Sequence, residues 1–215
     1  MKRKKLKMKN RSIVIRCCRI IAAVTALAML LSFEYNGLWQ TVIKYTAFFL
    51  LSLVAGYKPL TEKAPFPKLY TLHCTALMLA FAVILSYVLP ANEPAMKLTA
   101  LRVVSAVILA PVVEELFFRG AMTSFKYPLA SCFLSALVFG LFHGDGWLQA
   151  FLLGLILSCF YMSSRNIAVP IICHSANNLL AVVSTLRDIR IPVLVISVAI
   201  ALVIYIGVKN EKKIL

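Results

Sequence analysis

Long apolar stretches, separated by short polar or proline-containing segments, run through almost the whole chain of 215 residues. A transmembrane α-helix needs roughly 20 mostly apolar residues, and eight stretches come close to this length. Their ranges are 13–33, 38–57, 69–90, 97–124, 129–144, 147–162, 167–186 and 191–208. The fifth and sixth are the shortest. The pattern predicts an all-α fold, a polytopic membrane helical bundle of about eight transmembrane helices.

Composition supports a membrane protein. Hydrophobic residues make up 61% of the chain and charged residues 14%, whereas soluble domains contain roughly 45–50% and about 25%. The segments that connect the apolar stretches are short, and no repeat or second domain is visible. A soluble globular enzyme is therefore excluded, and one helical membrane domain is expected.

The net charge of +15 comes largely from the N-terminus, where nine of the 23 basic residues lie between Lys2 and Arg19. They precede an apolar stretch and are not interleaved with aromatic residues. Such a segment binds anionic lipid headgroups and orients the chain, so we expect membrane lipids as partners and no nucleic acid. The lysines and arginines of the connecting segments, except 187–190, predict both termini in the cytoplasm of a multi-pass cell-membrane protein.

Ionisable residues within one apolar stretch are the first candidates for function, because charges in hydrocarbon are costly. Glu115 and Arg119 are four residues apart and can form a buried ion pair on one helix face. Glu114 points about 100° away on an α-helix and lacks that partner. A less compensated buried carboxylate has a raised pKa and can act as a general base. The alternative is that these residues mark a water-exposed helix end.

Two histidines and an amide complete a candidate site. His174 and Asn178 are four residues apart, so both reach the same helix face, and His143 closes another apolar stretch just before 144–146. A lone histidine is more often a structural hydrogen-bonding residue. Together with Glu114, these side chains form a hydrolytic set: a base for water, imidazoles for a metal or for proton transfer, and an amide donor for an oxyanion.

Helix length raises a difficulty for this set. At about 1.5 Å per residue, His143 lies roughly 21 Å along its helix from Leu129, while His174 lies roughly 10 Å from Ile167. The two histidines converge only if the fifth and sixth helices form a short hairpin, or if the helix starts are displaced. Irregular backbone is allowed at membrane depth where it lines a cavity.

Three motifs carry a resemblance to a known family. They are E-E-x-x-x-R at 114–119, F-x-x-x-H at 139–143 and H-x-x-x-N at 174–178. This ordered set resembles the signature of the CPBP (CAAX protease and bacteriocin-processing, or Abi) family of intramembrane endopeptidases, related to type II CAAX prenyl proteases. The resemblance covers roughly residues 97–186. It implies that Glu114 activates water, His143 and His174 complete the site, and Asn178 stabilises the oxyanion, with Glu115 and Arg119 in support.

The resemblance leaves the cofactor open, because the family is described both as metalloproteases and as glutamic endopeptidases. Two histidines and one glutamate would satisfy a three-ligand zinc site, which makes His143 and His174 possible metal ligands. If Glu114 were also a ligand, another group would have to be the base. We favour Glu114 as the base.

The sequence thus predicts four segments: a basic cytoplasmic N-terminal segment (1–12), N-terminal transmembrane helices (13–96), a catalytic transmembrane core (97–186), and a last transmembrane helix with a basic tail (187–215). The expected activity is cleavage of a peptide or lipidated peptide at a cavity open toward the cytoplasm, in bacterial peptide maturation or bacteriocin self-immunity. The alternatives are a non-catalytic membrane immunity or scaffold protein that binds a peptide or partner, and a proton-coupled transporter.

Overall fold

The computed structural model describes residues 2–31, 37–56, 67–89, 99–186 and 188–211. In these ranges the chain forms eight helices and no strand. The helices are α1 (Lys2–Leu31), α2 (Leu38–Ala55), α3 (Lys68–Val88), α4 (100–122), α5 (Pro128–Leu141), α6 (Trp147–Ser164), α7 (Ala168–Leu186) and α8 (Arg190–Glu211). The predicted all-α bundle of about eight helices is confirmed.

Within the described ranges, five segments are long and apolar enough to cross a membrane, and two shorter helices are also apolar. The five are Ile13–Leu30, Leu38–Ala55, Lys68–Val88, Gly144–Ser164 and Ala168–Thr185, and the shorter two are Pro128–Leu141 and Arg190–Ile206. Helix α1 begins at Lys2, so the basic segment that we separated from the first span continues the same helix. Helix α4, which carries the acidic motif, stands apart because its backbone is not a regular α-helix.

Helix α4 alternates between two backbone geometries. Ala100–Val104 and Ala110–Glu115 are α-helical, whereas Ser105–Leu109 and Leu116–Met122 are π-helical. Pro111 explains the first π segment, because proline has no N–H and its ring collides with the carbonyl four residues earlier in a regular α-helix. The wider turn lets the N–H of Ala110 bond to Ser105 O instead. Short π segments occur frequently at functional sites.

Aromatic residues surround the second half of α4 and fix its position in the bundle. Phe117 and Phe118 are buried and lie edge-to-face with each other and with Phe48 of α2. Phe118 also packs edge-to-face on Phe139 of α5, with ring centroids 5.2 Å apart. Arg16 of α1 donates to the carbonyls of residues at the end of α4, Ala121 and Thr123.

Helices α5 and α6 form a short hairpin joined by a 3₁₀ turn, Gly144–Gly146. The helices approach very closely at Gly140, where a Cβ atom would lie 2.6 Å from the carbonyl oxygen of Trp147. The hairpin is the arrangement that the sequence required for the histidines to approach each other. It brings His143 to the end of the hairpin beside α7.

Candidate active site

A buried ion pair forms the base of the site. Arg119 Nη1 donates to Glu115 Oε1 at 3.0 Å, and both side chains are 0% exposed. Arg119 Nη2 donates to the backbone oxygen of Gly154 on α6 at 3.0 Å. The guanidinium also lies over the ring of Phe139, 4.7 Å from its centroid. Charge-assisted bonds and an aromatic face together offset part of the cost of burying the charge.

Gly154 makes room for this guanidinium. A Cβ at this position would lie 3.1 Å from Arg119 Nη2 and 3.1 Å from a ring carbon of Phe139. Glycine costs up to about 1 kcal/mol relative to alanine inside a helix, so its presence in α6 needs a reason of this kind. Sequence reasoning missed Gly154, although an isolated glycine in an apolar helix is a recognisable signal of close packing.

His174 lies between the two carboxylates of α4. Its Nδ1 is 2.8 Å from Glu115 Oε1, and its Nε2 is 3.8 Å from Glu114 Oε2. The hydrogen-bond network assigns the Nδ1 proton to the bond with Glu115, which leaves Nε2 facing Glu114. A carboxylate that accepts the imidazole N–H in this way fixes both the ring orientation and the tautomer.

The two glutamates differ in their partners. Glu115 is the fully buried carboxylate that binds Arg119 and His174. Glu114 is 18% exposed, and its Oε2 stands 3.8 Å from the other nitrogen of the same imidazole, which is beyond hydrogen-bond distance. The two ring nitrogens point in different directions, so one histidine from α7 approaches neighbouring residues of α4.

His143 also packs against Phe139. Its Nδ1 lies 2.7 Å from the backbone oxygen of Phe139, and the centroids of the two rings are 4.4 Å apart. The Phe139 ring is 5.7 Å from that of His174 and nearly perpendicular to it. The bond to a carbonyl assigns the proton of His143 to Nδ1. Phe139, quoted above only as a motif position, thus contacts both imidazoles.

The ligand set expected for zinc does not come together in this arrangement. A zinc site needs three or four ligand atoms about 2.0–2.3 Å from one ion. Among the described residues, no three of the histidines, cysteines, aspartates and glutamates form a group that could hold a metal ion.

Asn178 supports the irregular backbone of α4. Its Nδ2 donates to the carbonyl of Ala106 at 2.8 Å. In a regular helix the N–H of Ala110 would satisfy this carbonyl, but that N–H bonds to Ser105 O across the π segment, and Pro111 has no N–H to offer. The Asn178 amide therefore fills a gap that Pro111 creates. One N–H remains on Nδ2 for another acceptor, while Asn177 Nδ2 donates to Asn178 Oδ1 at 3.2 Å.

A second carbonyl of α4 also accepts a side-chain hydrogen bond. Ser135 of α5 is fully buried and donates to the backbone oxygen of Phe118, within the second π segment, at 2.6 Å. Two polar atoms of the cluster, Glu115 Oε2 and Arg119 Nε, are buried without a hydrogen-bond partner among the described residues. Each such atom costs about 1–3 kcal/mol, and such costs are typical of functional sites.

The site borders a cavity of about 510 Å³. Its wall contains His143, His174 and Asn178, and Glu114 lies next to this wall rather than in it. The cavity extends along α3, α6 and α7 to Arg190 at the start of α8. The structure therefore brings Glu114, Glu115, Arg119 and His174 into one contact network. It places His143 and Asn178 on the same cavity without direct contact to Glu114.

The cavity lies toward one face of the bundle. It reaches the end of α3 at Ser86, the end of α7 at Thr185 and the start of α8 at Arg190. Arg16, in the first turn of the apolar segment Ile13–Leu30 of α1, binds instead at the end of α4. If every helix crosses the membrane, this end of the cavity lies on the face opposite to both termini. The orientation of the termini and the side on which the cavity opens stay predictions.

Comparison with known proteins supports a family assignment. The model of the family described as type II CAAX prenyl endopeptidase Rce1-like matches residues 96–180. This segment contains all three motifs and runs from α4 into α7. No curated protein and no solved structure matches the chain.

Proposed function

We propose, from the match of residues 96–180 to the family model, that the protein is an intramembrane endopeptidase of the CAAX protease family in which Glu114 activates the attacking water. The family match and the apolar helices support a multi-pass membrane protease of the CAAX type. The role proposed for Glu114 rests on the geometry around His174.

The observation that carries the proposal is the position of the His174 ring. Its Nδ1 is fixed on Glu115, and its Nε2 stands 3.8 Å from Glu114 Oε2. That separation is too long for a direct hydrogen bond, but one water can contact both atoms. A water in this place can donate one hydrogen bond to His174 Nε2 and one to the carboxylate of Glu114. The carboxylate can then take the proton of the water, which is the arrangement needed for general-base catalysis.

In the proposed reaction, Glu114 takes a proton from this water while the water oxygen attacks the scissile carbonyl carbon. The tetrahedral intermediate carries a negative oxygen, for which the remaining N–H of Asn178 is the candidate donor. The C–N bond then breaks, and the proton passes from Glu114 to the leaving amine. The products are a carboxylic acid and an amine, so no other reactant is consumed.

Glu115 and Arg119 position His174 and do not touch the substrate in this scheme. His143 presents its Nε2 to the cavity and is proposed to bind the substrate or to relay a proton. His143, His174 and Glu114 do not form a three-ligand group in the described part of the chain, so the proposed reaction contains no metal step. The sequence leaves zinc open, and a chelator tests it directly.

The proposed substrate is a peptide or lipidated peptide in a cell membrane, and the proposed role is bacterial peptide maturation or bacteriocin self-immunity. The basic connecting segments favour cytoplasmic termini. With that orientation the cavity opens to the outer side, where an exported peptide would be processed. We therefore replace the expected cytoplasmic opening with an outward one.

The test uses purified full-length protein and a synthetic peptide library, with cleavage read by mass spectrometry. Glu114→Gln should lower the cleavage rate by about 10²–10⁴-fold, the usual contribution of a general base. Asp145→Asn is the matched control, because Asp145 is an exposed acid in the turn beside His143 and should leave the rate unchanged. Loss of activity with a chelator, restored by zinc, would instead establish a metal mechanism.

Two outcomes would overturn the proposal. If Glu114→Gln cleaves as fast as the wild type, another group is the base. If the wild type retains peptides but cleaves none of them, the non-catalytic immunity or scaffold function replaces the enzyme.

A further inference from the structure

The far end of the active-site cavity is polar, although the surrounding helices are apolar. Ser86, Ser184, Thr185 and Arg190 line this end. The hydroxyls of Ser86 and Thr185 donate to carbonyls of their own helices. Ser184 Oγ is buried and has no hydrogen-bond partner among the described residues. A buried hydroxyl without a partner is costly, which suggests that a polar group of a ligand completes this end.

Arg190 is the only Lys, Arg, Asp or Glu among the described residues that line this cavity. Its guanidinium is oriented by two neighbours. Nε and Nη2 donate to the carboxylate of Asp188 at 2.9 Å each, and the ring of Tyr87 lies 4.9 Å away. The bonds from Arg190 lower the pKa of Asp188 to about 2, so the pair is ionised at neutral pH.

The Asp188 pair leaves donors of Arg190 available. A guanidinium carries N–H groups on Nε, Nη1 and Nη2, and a carboxylate on one edge does not occupy the other edge. Arg190 and Asp188 are 35% and 56% exposed, and exposed pairs of this kind exchange partners at little cost. The planar fork of arginine suits a carboxylate particularly well.

We infer that Arg190, which lines the same end of the cavity as Ser184, binds a carboxylate of the peptide substrate there. This inference rests on the proposed peptidase function and adds a substrate class to it. The carboxylate is either the C-terminus of the peptide or an acidic side chain, and both present the same chemistry to the guanidinium.

The dimensions of α7 give the distance between the carboxylate and the scissile bond. Thr185 lies seven residues beyond Asn178 and eleven beyond His174, or about 10 Å and about 16 Å along the helix. An extended peptide advances about 3.3–3.6 Å per residue. The cavity thus accommodates roughly three to five residues between the reacting carbonyl and the bound carboxylate.

The experiment measures retention of peptides on immobilised full-length Glu114→Gln protein, which does not require turnover. An equimolar hexapeptide library is supplied in three forms: with free C-termini, with amidated C-termini, and amidated with glutamate at the last position. Mass spectrometry gives the ratio of retained forms. We expect the free acids to be retained about tenfold better than the plain amides, the equivalent of one favourable charge contact.

Variants of Arg190 assign this preference to the guanidinium. Adding Arg190→Gln should abolish the preference for carboxylates, and Arg190→Lys should restore part of it. Arg165→Gln is the matched control, because Arg165 is an exposed arginine in the connection between α6 and α7, away from this cavity, and should leave the ratio unchanged. Retention of the amidated glutamate library identifies a side-chain carboxylate as sufficient, whereas retention of the free acids alone identifies the C-terminus.

Equal retention of acids and amides would overturn the inference, as would a preference that Arg190→Gln leaves intact. The folded state of each variant is checked by its thermal unfolding midpoint, and Arg190→Lys serves if Arg190→Gln does not fold. Failure of the proposed function has a different signature. In that case wild-type protein would show no cleavage dependent on Glu114, whatever the carboxylate preference of the immobilised protein.

Discussion

Two arginine–carboxylate pairs of nearly equal length stand in opposite environments. Arg119 and Glu115 are 3.0 Å apart and both 0% exposed, whereas Arg190 and Asp188 are 2.9 Å apart and 35% and 56% exposed. The distances alone would suggest that the two pairs contribute equally to stability. Their burial makes them different, because removing charges from water costs several kcal/mol per ion. An exposed pair stays hydrated and contributes little to the free energy of unfolding.

The difference shows what each pair is suited to do. The buried pair has additional partners, Gly154 O and His174 Nδ1, so it forms a fixed framework that orients the imidazole. The exposed pair holds one edge of a guanidinium at the end of the cavity and leaves the other edge to a ligand. A guanidinium and a carboxylate thus form a rigid support in the buried pair and an exchangeable binding site in the exposed pair.

The largest expected effect comes from breaking the buried pair. Arg119→Gln leaves Glu115 buried without its cation, which should lower the free energy of unfolding by about 3–5 kcal/mol. Arg190→Gln, the counterpart in the exposed pair, should leave the unfolding midpoint unchanged. Denaturant titration in detergent micelles measures both. Replacing the pair together, Arg119→Met with Glu115→Leu, should recover much of the stability but not the cleavage activity, because His174 loses its acceptor.

Equal unfolding free energies for the Arg119→Gln and Arg190→Gln proteins would contradict this comparison. A stable double variant that still cleaves peptides would show that the orientation of His174 does not depend on Glu115.

Much of the fold could be predicted because membrane helices carry their own signal. The eight apolar stretches were found from length and composition, and each coincides with a helix in the described residues. The ion pair of Glu115 and Arg119 follows from a spacing of four residues, which is a local property of any helix. Local periodicity is therefore enough for the elements and for contacts within one helix.

The contacts between helices could not be predicted in the same way. That His174 would reach both carboxylates depends on how α7 approaches α4, and no spacing within either helix contains that information. The first π segment combines Pro111 with Asn178, which lies 67 positions further along the chain. Proline inside an apolar stretch is the available signal, but it does not predict that the Ala106 carbonyl finds its donor on another helix.

An intermediate effect on stability is expected for Asn178. Its neutral hydrogen bond to the Ala106 carbonyl should contribute less to the free energy of unfolding than the buried pair and more than the exposed pair. Asn178→Ala leaves the Ala106 carbonyl without its side-chain donor, which should cost about 1–3 kcal/mol of unfolding free energy. If its second N–H also stabilises the oxyanion, kcat falls by a further factor of about 10²–10³ with little change in KM. Asn177→Ala is the comparison variant, because it removes the bond to Asn178 Oδ1 but leaves the Asn178 bond to the Ala106 carbonyl. A stable Asn178→Ala protein would place the support of the π segment elsewhere.

The smallest effect tests whether the exposed pair is exchangeable. Asp188→Asn removes the anion that competes for Arg190, so the preference for peptides with a carboxylate should rise by about two- to threefold, within the small range of exposed pairs. Because hydrogen bonds from Arg190 hold the pKa of Asp188 at about 2, the aspartate stays ionised above that pH. The carboxylate preference of Asp188→Asn, divided by that of the parent protein, should therefore be the same at about pH 5 and about pH 8. High salt should reduce it, since charges exposed to this degree are screened. A weaker preference in Asp188→Asn would mean that Asp188 serves mainly to orient the guanidinium, and that the exposed pair acts as a fixed support, like the buried one.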